Sequence, residues 1–498
     1  MSIVKKLASQ TAIYGLSTMV GRFINYLLVP LYTAYLSDVA DYGVVSVMFG
    51  YASLFSVVFA LGLETAFFHF AQKTEKPERV FSTATHTLII SGFVWVILSR
   101  FFADSIMNAA GYPSHPEYAI WFTLILATDA VTALGYAWLR NQQKPWQFAI
   151  IRLSNIGINV LANIFFLIGC PYLSKHGYTW ADSWAQPENM VSNIFISNLI
   201  ASLLTFPMMY KSWRNLIYGL DFTLLKQMLK YAYPLIFIGL AGMINETFDR
   251  VLLKQLLPEN IGDYEASIYS AFYKLSLILT LFVQAFRFAV EPFFFQQAKS
   301  LDSKQTYAYV MKWFVYAVSI IYLFTIVILP YIAPLLIRNK AYFNHPSGMK
   351  IVPILLAANL CLGIYYTLSV WYKVSGKTKI GALPAFAGAF ITLALNYFLI
   401  PKIGFLGSAY TTLIAYASMV VFGYILCQKY FPIPYPLLPI LGSIFIAIGS
   451  GYVILTIENT LLSICAKILS LGVLVGGIYI YEKYVYVSPI KNENINQN

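Results

Sequence analysis

Four stretches of this chain carry charge where the surrounding residues are almost wholly apolar. Arg22, followed three residues later by Asn25, sits in the run Ser9–Leu36. Glu64 lies in Tyr42–Phe70. Glu246, Asp249 and Arg250 fall within IGLAGMINETFDRVLL, which begins at Ile238, and Lys274, Arg287 and Glu291 lie in Ser267–Phe294. An ionised side chain at membrane depth is costly, so it normally faces a polar interior and marks a path for an ion or polar solute. Arg22 is roughly 13 residues into its run, some 20 Å of helix rise, which is beyond easy snorkelling. It either lines such an interior or pairs with Glu64 of the next run. Glu246 and Arg250 have i, i+4 spacing with the acid first, the favourable order for an intrahelical pair. A mutual ion pair therefore stands beside a second reading, in which Glu246 or Asp249 is a switchable carboxylate that releases Arg250 or exchanges H⁺ or Na⁺. Lys274 adds a cation, and Glu291 stands near Arg287.

A fifth stretch is polar without being acidic. Arg152, Asn155, Asn159 and Asn163 follow at i, i+3, i+7 and i+11, on one helix face. Asparagines at this spacing either bind sugar hydroxyls or hold neighbouring helices together. The four cysteines (Cys170, Cys361, Cys427 and Cys465) are scattered, with neither CxxC nor metal spacing, and read as small apolar packers. No cofactor or metal is expected beyond a coupling H⁺ or Na⁺.

The elements that must position these residues are membrane helices. Of the 498 residues, 59% are hydrophobic and only 11% charged, with mean hydropathy +0.67. A span needs about 20 apolar residues, and about fourteen such runs can be placed. They are Ser9–Leu36, Tyr42–Phe70, Phe81–Phe102, Tyr118–Leu139, Phe148–Gly169, Val191–Tyr210, Tyr231–Leu256, Ser267–Phe294, Tyr307–Leu329, Ile351–Tyr372, Ile380–Ile400, Leu406–Cys427, Leu437–Ile457 and Leu461–Tyr481. The amino-terminal run has no cleavage site and reads as a retained span, and the tail KNENINQN as a polar, unstructured end. The net charge of +12 belongs to span ends, so it reflects topology and gives nucleic acid no support as a partner. Most of the 33 basic residues fall in connections that share a side with both termini, Lys312 and Lys373 among them, so the termini are expected in the cytoplasm.

The second half echoes the first. Arg22 aligns with Arg250, ADYG (Ala40–Gly43) with GDYE (Gly262–Glu265), and GLETAFFHFAQK with AVEPFFFQQAK, which sets Glu64 opposite Glu291. ANIFFLI (Ala162–Ile168) aligns with LNYFLIP (Leu395–Pro401). Offsets between about 220 and 235 residues equal six spans, an even number, so the halves point the same way about an axis along the membrane normal. The expected division is a six-helix lobe at 1–215, a second at 216–430, and a final helix pair with a short polar tail at 431–498. Two such bundles enclose a cleft, which is the architecture of a transporter.

On these residues the chain resembles a known family. Arg22 followed by NYLLVPLYTAYLSDVADYG and GLETAFFHFAQK, and later LNYFLIPKIGFLGSAYTT (Leu395–Thr412), is similar to the Wzx-type polysaccharide-biosynthesis flippases. These belong to the MOP superfamily, with the MATE antiporters and the lipid II flippases, and the resemblance covers nearly the whole chain. It implies a MATE-like all-α membrane fold in a bacterial inner membrane. It further implies that an undecaprenyl-pyrophosphate-linked oligosaccharide moves between leaflets by alternating access through a cationic central cavity. O-antigen or capsule assembly is the implied setting. The partners would be the polyprenyl-pyrophosphate-linked glycan, membrane lipids and other polysaccharide-assembly membrane proteins. Arg22, Asn25, Arg250 and Lys274 would then hold the pyrophosphate, because a guanidinium fork donates several charge-assisted hydrogen bonds to phosphate.

Two rival classes remain in view. A MATE-type small-molecule antiporter should have a cavity dominated by carboxylates, whereas the deepest charge here is Arg22. A membrane polysaccharide polymerase or ligase should carry a large catalytic loop outside the membrane. The longest such connections, near Pro171–Met190 and Pro330–Lys350, have room for little, and HExxH, P-loop, GxSxG, GxGxxG and DxD motifs are missing. An enzyme is not expected.

Overall fold

The computed structural model describes residues 15–485, apart from 16, 18, 22, 25, 298–301, 458 and 459. The described residues are helical, with thirteen helices long and apolar enough to cross a membrane. They correspond in order to expected spans two to fourteen; of the first span, the helix Leu28–Tyr35 is described. Spans two to six are Val39–Ala71, Pro77–Phe101, Glu117–Asn141, Pro145–Lys175 and Pro187–Met208. Span seven is Phe222–Leu256, span eight Glu259–Arg287 and span nine Ser303–Leu336. The rest are Ile351–Val374, Lys379–Ile403, Phe405–Tyr430, Leu437–Leu455 and Cys465–Tyr484.

Several helices outrun the apolar runs that announced them, because amphipathic ends continue the backbone past the hydrocarbon. Span seven starts at Phe222, not Tyr231, and takes in Lys226 and Lys230. Lys312, counted with the connections although the expected run Tyr307–Leu329 already holds it, lies inside span nine. The caps explain the starting points. Asp38 and Asp41 form a capping box at the head of span two, where Asp38 accepts from the Ala40 amide at 2.9 Å and Asp41 from the Asp38 amide at 2.9 Å. Asp221 caps span seven by accepting from the Thr223 and Leu224 amides at 3.0 and 3.1 Å.

Span two breaks at Leu61 and Gly62, both left-handed, with φ of 50° and 63°. Gly62 meets this need without a Cβ clash, and it lets the chain approach Ala232 of span seven, 3.1 Å from where a Cβ would stand. Gly50 and Gly239 also sit where spans two and seven touch, against Val251 and Val57. Small residues at a membrane helix crossing bring backbones close and gain dispersion contacts, which lipid-facing apolar area does not supply.

Packing divides the chain into two units: 1–271 with 336–345 and 389–408, and 272–335 with 346–388 and 409–498. The repeat halves follow sequence echo and the packing units follow contact, so span seven opens the second repeat yet packs with spans two and three. Each unit holds an equivalent aromatic knot. In the first, Phe81 stacks on Trp138 with centroids 4.7 Å apart, and Phe67 lies 6.0 Å from Phe81. In the second, Phe294 packs on Tyr307 at 4.9 Å, in one cluster with Trp371. Phe67 and Phe294 lie three residues beyond Glu64 and Glu291, so the alignment of those two glutamates has a packing counterpart.

Candidate functional site

Charged side chains of span seven gather near its far end. Arg250 is six residues, about 9 Å of rise, before the helix terminus. It is 8% exposed and Asp249 4%. Arg250 Nη1 lies 3.3 Å from Asp249 Oδ1, which also accepts from the Arg250 amide at 2.9 Å. The Tyr269 hydroxyl, from span eight, donates to the other carboxylate oxygen, and the Arg250 guanidinium lies 5.7 Å from the Tyr269 ring. The acid expected from spacing alone, Glu246, offers Arg250 its backbone carbonyl at 3.4 Å while its side chain is exposed. Asp249 takes the ion pair because Tyr269 fixes it from a second helix. One turn away, Asn245 Oδ1 accepts from Thr392 at 3.0 Å.

A second cluster closes the same end. Lys254 Nζ donates to Asp263 Oδ2 at 2.7 Å, and Tyr112, from the connection after span three, donates to Asp263 Oδ1 at 2.6 Å. Lys254 is 7% exposed and lies 4.7 Å from the Tyr112 ring centroid. Burial, and then the Asp263 carboxylate beside it, push the Tyr112 hydroxyl well above its ordinary value, so it stays protonated and donates. Gln255 adds hydrogen bonds to the Tyr51 hydroxyl at 2.7 Å and the Ala109 carbonyl at 3.0 Å. Gly43 packs directly on this site, since a Cβ there would stand 1.8 Å from the Asp263 carbonyl oxygen. ADYG and GDYE, which the sequence offers as marks of a repeat, therefore touch. Neither Lys254 nor Tyr112 was singled out by sequence. The available signal was Asp263 inside a repeated motif, with a lysine nine residues before it.

The remaining candidates are dispersed. Arg22 and Asn25 lie outside the described residues, as does the Glu291 side chain. Glu64 accepts from Arg140 of span four, whose guanidinium also lies 5.0 Å from the Phe68 ring centroid. Lys274 is half-buried on the helix of span eight and falls in the second packing unit. Asn155 bridges helices, donating to Thr205 at 2.7 Å and the Ala201 carbonyl at 3.1 Å of span six. Asn163 donates within its own helix to the Asn159 carbonyl and side-chain oxygens at 2.8 and 3.0 Å. Two charged groups absent from the sequence expectations are Asp129 and Glu482. Asp129 is exposed at the midpoint of span four, within reach of Ser202 and Arg152. Glu482 accepts from Lys312, which is 0% exposed, at 2.8 Å, and from Tyr316 at 3.0 Å. Among the described residues, no cluster of His, Cys, Asp and Glu could hold a metal ion.

Known structures share this architecture. The lipid II flippase MurJ, in an inward closed conformation, is 18% identical, with a TM-score of 0.71 over 94% of this chain and 99% of its own. An outward-facing multidrug resistance MATE family transporter of the MOP superfamily is 13% identical, with a TM-score of 0.61 over 84% of this chain and 95% of its own. The Vibrio cholerae MATE transporter VcmN in its bent form is 12% identical, with a TM-score of 0.55 over 91% and 99%. At these identities the likeness establishes the fold, a multi-pass membrane protein of MurJ/MATE type. No curated protein sequence matches the chain. Residues 7–298 match the family described as "Polysaccharide biosynthesis protein", and the chain belongs to that family.

Proposed function

We propose that this chain is a flippase that carries an undecaprenyl-pyrophosphate-linked oligosaccharide from the cytoplasmic to the periplasmic leaflet of a bacterial inner membrane. The observation that carries the reading is the buried Arg250, set in a membrane-spanning helix beside the carboxylate of Asp249, within a chain of the polysaccharide biosynthesis family. Asp249 and Tyr269 keep the guanidinium oriented and offset its charge while the site is unloaded. An incoming pyrophosphate offers more acceptor oxygens than Asp249 and competes for the same fork. Arg22, the repeat equivalent of Arg250 from the first half, and Asn25, three residues on from it, are assigned to the same phosphate. Glu246, exposed beside the pair, and Asp249 are assigned to exchange of a coupling H⁺ or Na⁺. Arg250→Ala should abolish glycan export while the protein still inserts, and Arg250→Lys should retain part of it, because lysine keeps the charge and loses the fork. Full export by Arg250→Ala would refute the assignment.

A second reading, a MATE-type ion-coupled antiporter of small molecules, is favoured by one observation. Asp129 places a carboxylate, with Ser202 and Arg152 within reach, at the midpoint of span four, and an ionisable group at that depth in a membrane helix marks a path for an ion or polar solute. Drug efflux that depends on Asp129, with glycan export unchanged by deletion of the protein, would select this reading.

A further inference from the structure

Span five presents one wholly apolar face. Trp146, Ile150, Leu153, Leu161, Ile164 and Phe165 recur at helical spacing and are 39–68% exposed, whereas Asn155, on the opposite face, bonds to span six. Gly157 lies in the same stripe, and a Cβ added there would meet nothing within 4 Å. On a membrane-crossing helix, an exposed stripe without a polar side chain faces acyl chains. The connection that follows, 176–186, folds back on this face. Trp180 stacks on Phe165, with ring centroids 6.4 Å apart and planes 14° from parallel, and Trp184 lies 5.0 Å from Phe166. Between the two tryptophans, Ala181 is fully buried in one cluster with Phe166 and Cys170. Trp180 itself stays 54% exposed, so the stack carries the apolar stripe of the span onto the connection.

The depth of these rings follows from span six. Its 22 residues, Pro187–Met208, just cross a hydrocarbon layer of about 30 Å, so its start marks the membrane boundary. Ile196 packs on the Phe166 cluster and lies about 9 Å of helix rise past Met190, where the α-helix begins. Phe165 and Phe166 therefore lie inside the hydrocarbon, and the tryptophans that touch them reach in from the boundary. The backbone of the connection stays at the boundary, because irregular lipid-exposed backbone is not tolerated deeper. Its shape is held by its own polar groups. Ser174 donates to Asp182 at 2.6 Å, and Asn189 and Asn193 donate to the Ser183 and Trp184 carbonyls at 2.7 and 2.8 Å. An indole joins a large apolar ring to a single N–H donor, which suits the level where acyl chains meet headgroups.

We propose that the connection 176–186 is a lipid-surface anchor, seated among the headgroups of the leaflet that the end of span five reaches, with Trp180 and Trp184 inserted toward the acyl chains. The proposal is independent of what the protein transports and of which leaflet this is. The test is tryptophan fluorescence of the full chain in nanodiscs of phosphatidylcholine whose acyl chains carry bromine near the headgroup or near the methyl end. The chain has nine tryptophans, so the Trp180 share is read as the difference between wild type and Trp180→Phe. Phenylalanine keeps a ring against Phe165, so the variant should fold, and a size-exclusion profile checks that it does. Most of the Trp180 share should be lost to bromine near the headgroup, less to bromine near the methyl end, and little to aqueous iodide. Trp184→Phe repeats the measurement at the second ring and should give the same order. Loss to iodide with no loss to either brominated lipid would overturn the proposal, leaving the aromatic surface in water and open to a soluble glycan or protein. Strongest loss to bromine near the methyl end would overturn it as well, since the connection would then lie below the headgroups.

Discussion

Removing the Asp263 carboxylate should unsettle the far end of span seven more than any surface charge change. Asp263→Ala strands the Lys254 ammonium, 7% exposed, without its 2.7 Å partner, and removes the acceptor of the buried Tyr112 hydroxyl. Breaking a buried pair from one side costs about 3–5 kcal/mol, because the uncompensated charge stays behind. An unfolding entropy of about 2.1 cal/mol/K per residue, over 498 residues, gives about 1 kcal/mol per degree, so the unfolding temperature should fall by about 3–5 °C. Replacing both partners, as in Lys254→Met with Asp263→Leu, removes the stranded charge and should recover most of the loss. The assay is thermal unfolding in nanodiscs followed by tryptophan fluorescence, with size-exclusion profiles as a check on folding. An unchanged unfolding temperature for Asp263→Ala, or a double variant less stable than the single one, would refute the reasoning.

Other perturbations have equally definite outcomes. Glu482→Ala should destabilise by about 3–5 kcal/mol, since it removes the carboxylate that answers a fully buried Lys312, whereas Lys312→Met should cost less because Glu482 keeps some solvent access; equal losses would contradict the asymmetry. The Leu224 amide and then Arg79, whose guanidinium is 2.5 Å away, hold the Asp221 carboxyl below its ordinary value of 3.8. A depressed folded value adds stability above pH 3.8 that is lost as pH falls through it, so unfolding temperature should drop on acidification in wild type, and less in Asp221→Asn. In a background without the four native cysteines, an impermeant thiol reagent applied to intact cells should label Ser183→Cys but not Lys377→Cys; the reverse pattern would invert the proposed topology.

Much of the fold was legible because lipid leaves a chain few options. Apolar runs of span length have to be helices, so spans two to fourteen were placed from composition alone, with errors confined to amphipathic ends such as Lys226 and Lys230. The repeat was legible from Glu64 and Glu291 because the aromatic knots beside them preserve residue type. Partner choice among charges was not. Spacing favoured Glu246 for Arg250, but Tyr269, distant in sequence and adjacent in space, decided for Asp249. Likewise Glu64 was weighed against Arg22 and is held by Arg140, two spans away. The asparagine face of span five left two roles open, and the Asn155 bonds to span six are of the helix-joining kind. Side-chain pairing depends on which helices meet, and a single sequence records that only through small residues such as Gly43 and Gly62.

The central claim is that a lipid-linked glycan crosses the membrane through this protein. It is tested most directly by deleting the gene and mapping, by leaflet-specific enzymatic digestion, where the undecaprenyl-pyrophosphate-linked oligosaccharide resides. The account predicts accumulation in the cytoplasmic leaflet, reversed by the wild-type chain and not by Arg250→Ala. An unchanged leaflet distribution in the deletion strain would contradict it.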